Sequence, residues 1–428
     1  MNLLKRPLFF RSLCAACRCI LVGAFVHAAS AQDALKLLPP SAENAASKPQ
    51  GLPQDQPYAL RWGDLSVLAT AAFESEWNDN IGLSDSQREQ DFILRPKVNV
   101  QSVLPLTDVN SFNLSFGLGY EAYTEHSADS RLLITPGSVL SFDFLADDFK
   151  INIHDRFSYE NDPSLYGNIS GIVRIGGLFN TAGLSVSRDL GDFSVTLGFD
   201  HLNFISSTAQ FKPLNNSSDI GTARLAYRPR PGILVGVESG GGDTVYDERL
   251  LSGYDTYSVG AFAEWQAASR LHLTGRAGYL DYQYDTPALT QGRSSLSGYY
   301  ASLSADAALN EHFSLALQGG HSVNVSVDSG VIEQWYVALS GLCKVVQRGL
   351  LTASIRYENA VEPFETPLQD IVIYSQSYER VDARLAFAYP LTKRLEARLA
   401  YVFLRKNAAY GIANYTQNDV LLALTYRL

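Results

Sequence analysis

Phe112-Asn113-Leu114-Ser115-Phe116-Gly117-Leu118-Gly119-Tyr120-Glu121 decides the fold: its large apolar side chains fall on every second residue, with small or polar ones between them. A helix repeats every ~3.6 residues and a strand every two, so this stretch can present one apolar face only as a strand. Its other face carries Asn, Ser, Gly and Glu, the pattern of a strand held between lipid and water.

The same alternation recurs on both sides. Val98, Val100, Ser102 and Leu104 alternate with Lys97, Asn99, Gln101 and Val103. Phe149, Ile151 and Ile153 alternate with Lys150, Asn152 and His154, and Phe193, Val195, Leu197 and Phe199 with Ser194, Thr196, Gly198 and Asp200. Leu395, Ala397, Leu399, Tyr401 and Phe403 repeat it, as do Val420, Leu422, Leu424, Tyr426 and Leu428 at the end of the chain. Tight connections fall at Pro105 to Asn110, Ala146 to Asp148, Asp189 to Asp192, Arg228 to Gly232, Ala267 to Arg270, Asn310 to His312, Val346 to Gly349 and Pro390 to Lys393. Longer ones lie between them, near 78–91, 160–177, 206–218, 239–255, 285–295, 360–376 and 405–416, with shorter ones near 125–131 and 328–330. Short turns and long loops in strict succession predict an all-β, up-and-down antiparallel transmembrane barrel of about 18 strands, with about 16 as the alternative. Both termini then lie on the turn side, the periplasm, and the last strand closes on the first near Leu65 to Phe73. Asp155 and Arg188 interrupt the apolar face. Arg188 reads as a rim residue beside its turn, and a one-residue bulge at Asp155 would re-aim that carboxylate inward.

Upstream of the strands, Lys5, Arg6 and Arg11 precede an apolar stretch from Ile20 to Val26 and the small-x-small sequence Ala29-Ser30-Ala31, the layout of a secretory signal peptide over 1–31. Its removal takes four of the 34 basic residues and none of the 44 acidic ones, leaving a balance of about −14. An acidic exported chain is not a nucleic-acid binder. Cys343 is the one cysteine left, so no internal disulfide forms and the hydrogen-bond ladder must hold the fold. Residues 32–60, with Pro39, Pro40, Pro49, Pro53 and Pro57 among Ala, Ser and Gln, read as a flexible periplasmic segment. The barrel takes 61–428.

Assigning the non-lipid parity to the lumen gives Arg95, Lys97, Lys150, Arg156, Arg224, Arg276, Arg356, Arg380, Arg384 and Arg398 against Glu121, Glu238, Glu264, Glu358, Asp382 and Glu396. Two readings follow with equal weight: a pore whose field favours anions, or facing pairs that brace the wall. Trp77, Tyr123, Tyr166, Tyr254, Tyr257, Tyr282, Tyr284, Tyr299, Tyr374, Tyr378, Tyr410 and Tyr415 cluster near strand ends and in loops, as interface girdles do. Inward members such as Tyr282 and Tyr284 would suit stacking on sugar rings. Glu74, Glu76, Asp79, Asp85, Glu89 and Asp91 lack the spacing of a calcium loop and read as a solvated outer loop. His201 and His321 fall on lipid-facing parity about six strands apart, each without a Ser and an acid in a recognisable motif, which argues against an enzyme. No cofactor or zinc spacing occurs.

Two segments carry a resemblance. Trp77-Asn78-Asp79-Asn80-Ile81, together with the stretch from Asn180-Thr181-Ala182-Gly183-Leu184 through Asp189-Leu190 to Gly198-Phe199-Asp200-His201, resembles the β-barrel porin 2 family of Gram-negative outer-membrane proteins. The similarity covers roughly residues 60–428. It implies an outer-membrane barrel exported through the Sec pathway, seated among outer-membrane lipid and lipopolysaccharide by the barrel assembly machinery. In some lineages it implies exopolysaccharide export, and so a polysaccharide cargo. The alternative function is a structural or adhesive barrel with a blocked lumen and working outer loops. The family brings no catalytic or binding motif, and Asn78-Asp79-Asn80 reads as a turn-former through local side-chain hydrogen bonds. Many such barrels end in an aromatic residue, whereas this chain ends Tyr426-Arg427-Leu428.

Overall fold

A computed structural model describes residues 60–428 apart from 161, 163, 165–169, 172, 174, 249, 287–293, 326–330, 347, 362–376 and 409–412. The signal-peptide reading, almost all of the Pro-rich segment, Tyr166, Tyr374 and Tyr410 lie outside the described residues.

The alternating runs form β2 (Leu65–Asn78), β3 (Asp91–Pro105), β4 (Ser111–Tyr123), β5 (Arg131–Ala146), β6 (Phe149–Glu160), β7 (Gly177–Leu190), β8 (Phe193–Ser206), β9 (Asn216–Arg230) and β10 (Ile233–Tyr246). They continue as β11 (Tyr254–Ala268), β12 (Leu271–Tyr284), β13 (Ser295–Ala308), β14 (Phe313–Val325), β15 (Val331–Val345), β16 (Gly349–Val361), β17 (Tyr378–Pro390), β18 (Leu395–Ala408) and β19 (Tyr415–Arg427). A stub, β1 (Leu60–Trp62), folds back on the start of β2 through a turn at Gly63, whose φ of 60° suits glycine. Each of the other strands pairs antiparallel with its sequence neighbours, and β19 pairs with β2 from Asn78↔Asp419 to Thr70↔Arg427. The result is a closed barrel of 18 strands, which has no free edge.

Parity holds along the strands, except at the far end of β14, where Val323 leaves the outward face of Leu317 and packs inward. Phe73, Val98, Leu118, Leu197, Leu303, Leu399 and Leu422 stand exposed on the outside, where a bilayer would cover them. The eight tight turns all lie at one end of the barrel and the longer loops at the other. Several predicted loops are shorter than their composition indicates. Gly240, Gly241 and Gly242 stay in β10, because adjacent strands supply the ladder that an isolated glycine run lacks.

Asp155 remains on the outside, and β6 has no bulge there to turn it inward. β6 runs against β7 without a break, and the irregularity sits next door in β5. There Thr135-Pro136-Gly137 interrupts the ladders to both β4 and β6, since proline has no N–H to give. Ser138 repairs the break: its hydroxyl donates to the Thr135 carbonyl at 2.9 Å and accepts from the Gly117 amide at 3.1 Å. On the outer face Asp155 accepts instead from the Asn180 side chain, an outward-parity neighbour on β7. Arg188 lies at the turn end as expected, bonded to Asp148 at 3.2 Å and over the Phe149 ring.

One seam is incomplete. β13 and β14 pair only from Ala301↔His321 to Ala308↔Ser314, although β13 continues along β12 and β14 along β15. Beyond His321 the two strands separate and Val323 packs inward beside Gly298, where a Cβ would come within 2.8 Å of its methyl group.

Candidate functional site

The candidate site is the inner wall with the loops that fold into it. The charged residues predicted to line the lumen all lie on inward parity, most of them beside an opposite charge. Arg95 bonds both Glu76 and, at 2.7 Å, Glu121. Glu121 also takes Arg131 at 2.5 Å, and Lys97 meets Glu74 at 2.7 Å. Farther round, Arg224 pairs with Glu264 at 2.7 Å while stacking 3.7 Å over Phe262. Arg276 pairs with Glu238 at 2.6 Å, and the Tyr300 hydroxyl donates to the same carboxylate at 3.0 Å. Arg356 bonds Glu358, and Arg384 bonds Asp382 at 2.8 Å. Lys150 joins Asp189 at the exposed turn end. Arg156 and Arg398 share the inward parity of β6 and β18.

Several members of this wall are not among the residues that the sequence assigns to the lumen. Glu74 and Glu76, read there as part of a solvated outer loop, sit inside on β2 as partners of Lys97 and Arg95. Asp91 of the same acidic stretch is buried at the tip of β3, accepting from Thr124, Glu125 and His126. Asp200 is buried against His154 at 2.9 Å, and Asp419 also faces inward. With these acids counted, the wall as a whole does not lean basic. The basic excess is local to β16–β18, where Arg356, Arg380, Arg384, Arg398 and Lys406 face Glu358, Asp382 and Glu396. Among the described residues no cluster of ligating side chains could hold a metal ion.

The aromatics divide. Tyr257, Tyr299 and Trp335 are exposed outside at the level expected of a girdle. Tyr123, Tyr254, Tyr282, Tyr284, Tyr378 and Tyr415 are buried on the inner side. Tyr282 is fully enclosed with Tyr254, Leu280, Tyr284, Tyr300 and Val323, and Tyr254 meets it edge-on at 5.7 Å. No ring face of Tyr282 is open to a sugar, so this cluster is packing.

Two loops enter the bore. The β2–β3 loop places Leu83, wholly buried, against Leu404 and Tyr415 on the wall, and Ile81 against Ile93, Tyr123 and Val173. The β6–β7 loop meets it where the Gly171 amide donates to the Leu83 carbonyl at 3.0 Å. That loop then reaches strands six to eight places away around the ring. Ser170 donates to the Ala413 carbonyl at 2.8 Å, Lys406 donates to the Ser170 hydroxyl at 3.0 Å, and Arg380 donates to the Ser164 carbonyl at 2.7 Å. The bore is therefore crossed by a strut, a feature that strand periodicity cannot reveal.

The Trp77-to-Ile81 motif does more than turn the chain. The Asn78 side chain accepts from the Asn80 amide at 2.8 Å, and the Asn80 side chain bonds Ser84 twice. The motif also grips the other side of the closing seam. Asn80 donates to the Thr416 carbonyl at 3.0 Å, Gln417 donates to Asn78 and to the Asn80 carbonyl, and Asn418 donates twice to Asp79. His201 and His321 bond a carboxylate and a carbonyl rather than a hydroxyl: Asp219 at 2.7 Å and the Tyr299 carbonyl at 2.9 Å.

No family model and no curated protein matches the chain. Among solved structures it is similar to OccK2 (OpdF) of Pseudomonas aeruginosa, at 11% identity and a TM-score of 0.49, covering 87% of this chain and 100% of that one. It is similar also to OpdL of Pseudomonas aeruginosa, at 8% identity, a TM-score of 0.48 and coverage of 86% and 99%. A third is the outer membrane channel DcaP of Acinetobacter baumannii, at 10% identity, a TM-score of 0.45 and coverage of 87% and 100%. At these values the likeness carries no argument about cargo or mechanism.

Proposed function

We propose that the chain is a passive, porin-like conduit of the outer membrane for polar solutes, with its termini in the periplasm. The observation that supports this is the inner wall. An 18-stranded barrel encloses a bore wide enough for water, and here the bore is lined by ion pairs, several of them open on one side, rather than by the interlocking aliphatic side chains of a dry core. Charged groups kept inward along nearly every strand cost stability unless water or a polar solute passes beside them. The basic arc on β16–β18 makes anionic solutes the favoured class at that side. Conductance of the refolded protein in a planar bilayer tests the reading: discrete ohmic channels are expected, and a protein that folds but passes no current overturns it.

Membership of the porin 2 family, and passage of a polysaccharide in particular, are the narrower form. Deleting the gene should then lower surface polysaccharide, and an unchanged level removes that form alone. A second reading, a barrel whose lumen is blocked and whose outer loops do the work, is favoured by the two inserted loops. Liposome swelling separates the two, since a conduit admits sugars up to a size limit and a blocked barrel admits none.

A further inference from the structure

We propose that the inner wall at Arg380 is an oxyanion subsite, taking a carboxylate, phosphate or sulfate group of a solute in the bore. The site is built on the basic arc. Glu358, Arg380, Lys406 and Tyr415 lie side by side across β16, β17, β18 and β19, because Glu358↔Arg380, Arg380↔Lys406 and Lys406↔Tyr415 are successive register pairs. All four face inward and are at least nine-tenths buried.

Arg380 differs from the other wall arginines described above. Arg95, Arg224, Arg276, Arg356 and Arg384 each hold a carboxylate, whereas the hydrogen bond of Arg380 is to a neutral carbonyl, that of Ser164. Its Nε and Nη1 are buried with no acceptor, which leaves three N–H bonds unused, since arginine carries five in a fixed fork. The carboxylate directly opposite, Glu358, is engaged by Arg356. Two further donors around it are also without an acceptor: Nη2 of Arg356, diagonally placed on β16, and the Tyr415 hydroxyl in the same row. Buried N–H and O–H groups almost always find partners, and a guanidinium left with orphaned donors is a strong claim on an anionic acceptor. Four unpartnered atoms come from β16, β17 and β19; the three on Arg356 and Arg380 can only donate, which gives the place its sign, while the Tyr415 hydroxyl can donate as well as accept. A neutral hydroxyl-bearing solute would satisfy hydrogen bonds here and leave the charge uncompensated.

This deepens the conduit reading and rests on it only for how the solute arrives. Binding is measured by titration calorimetry on the full-length protein refolded in detergent at low salt. The probes are sodium galacturonate for a carboxylate, inorganic phosphate for a phosphate, and galactose as the uncharged control. Saturable binding of at least one oxyanion, none of galactose, and weakening of tenfold or more in Arg380→Gln with partial recovery in Arg380→Lys are expected. Tyr415→Phe, which removes one donor and keeps the ring, should weaken binding a few-fold without touching the fold. Heat-modifiable migration on gels confirms that each variant is a closed barrel. The arm that binds identifies the source of the group. Failure of both oxyanions to bind, equal binding of galactose, or undiminished affinity in folded Arg380→Gln and Tyr415→Phe overturns the subsite. A protein that conducts without binding loses the subsite and keeps the conduit; one that binds without conducting does the reverse.

Discussion

Replacing Asn80 with alanine should loosen the seam that closes the barrel. The side chain is wholly buried, donates to the carbonyls of Ser84 and Thr416 at 2.8 and 3.0 Å, and accepts from the Ser84 amide at 2.9 Å. Truncation removes three hydrogen bonds, each worth about 1 kcal/mol net, and leaves buried backbone groups without partners at a further cost, so the loss comes to about 2 to 4 kcal/mol. The bond to Thr416 joins residues 336 apart, so part of the effect falls on closure, and the two bonds to Ser84 put the rest on the local turn. Urea unfolding in lipid vesicles, followed by tryptophan fluorescence, reports it as a lowered midpoint with an unchanged slope. Ser84→Ala serves as the control, because its backbone bonds to Asn80 survive the change. A shift in Asn80→Ala below about 0.5 kcal/mol, the range of ordinary surface substitutions, would show that the ladder from Asn78 to Thr70 closes the barrel unaided.

Asn180→Leu strips the amide from Asp155 on the outer face and should cost about 1 to 3 kcal/mol; adding Asp155→Leu should restore most of it, and a double variant no more stable than the single one would refute the pairing. Gly298→Ala forces a methyl group to within 2.8 Å of Val323 and should destabilise by about 1 to 3 kcal/mol, with relief from Val323→Ala in a double-mutant cycle. His126, in the β4–β5 loop, is held above its ordinary pKa of 6.5 chiefly by its hydrogen bond to Asp91, with Glu89 3.6 Å away assisting. A folded-state pKa above the unfolded one adds stability that is full below about pH 6.5 and disappears as pH rises through the raised value. Amide exchange at residues 124–126 should therefore quicken, beyond the intrinsic rate, as pH rises above about 6.5, and His126→Ala should abolish the excess; an excess that persists in the variant removes His126 as its cause.

Strand pattern, turn positions and closure were legible because lipid and water impose a period of two on whatever lies between them. Arg95, Arg276 and Arg384 follow that parity onto the inner side of the strands. It failed where residue type was allowed to override it. Glu74 and Glu76 fall within a run of loop-like acids and yet share the inward parity of β2, and the inward parity of Tyr282 and Tyr284 suits a ligand platform no better than it suits tyrosines packed on one another. The break in β5 has a signal, Pro136-Gly137 within an alternating run, whereas Asp155, the polar side chain on an outward position of β6, marks no break in its own strand. The path of the β6–β7 loop had none. A loop's length shows how far it can reach, and nothing in Ser164 or Ser170 shows that Arg380 and Lys406 wait for them across the bore.

That strut has a consequence for the order of events in assembly. Its anchors are separated by 216, 236 and 243 residues from the loop they hold, so they belong to a part of the chain made well after that loop. Contacts so distant in sequence form late. During maturation the barrel must pass through a stage in which its wall is nearly complete and its bore undivided. A barrel that closes before the β6–β7 loop docks on β17 and β18 would leave a wider hole than the finished protein, so leakage of large solutes would be the mark of a slowly maturing barrel.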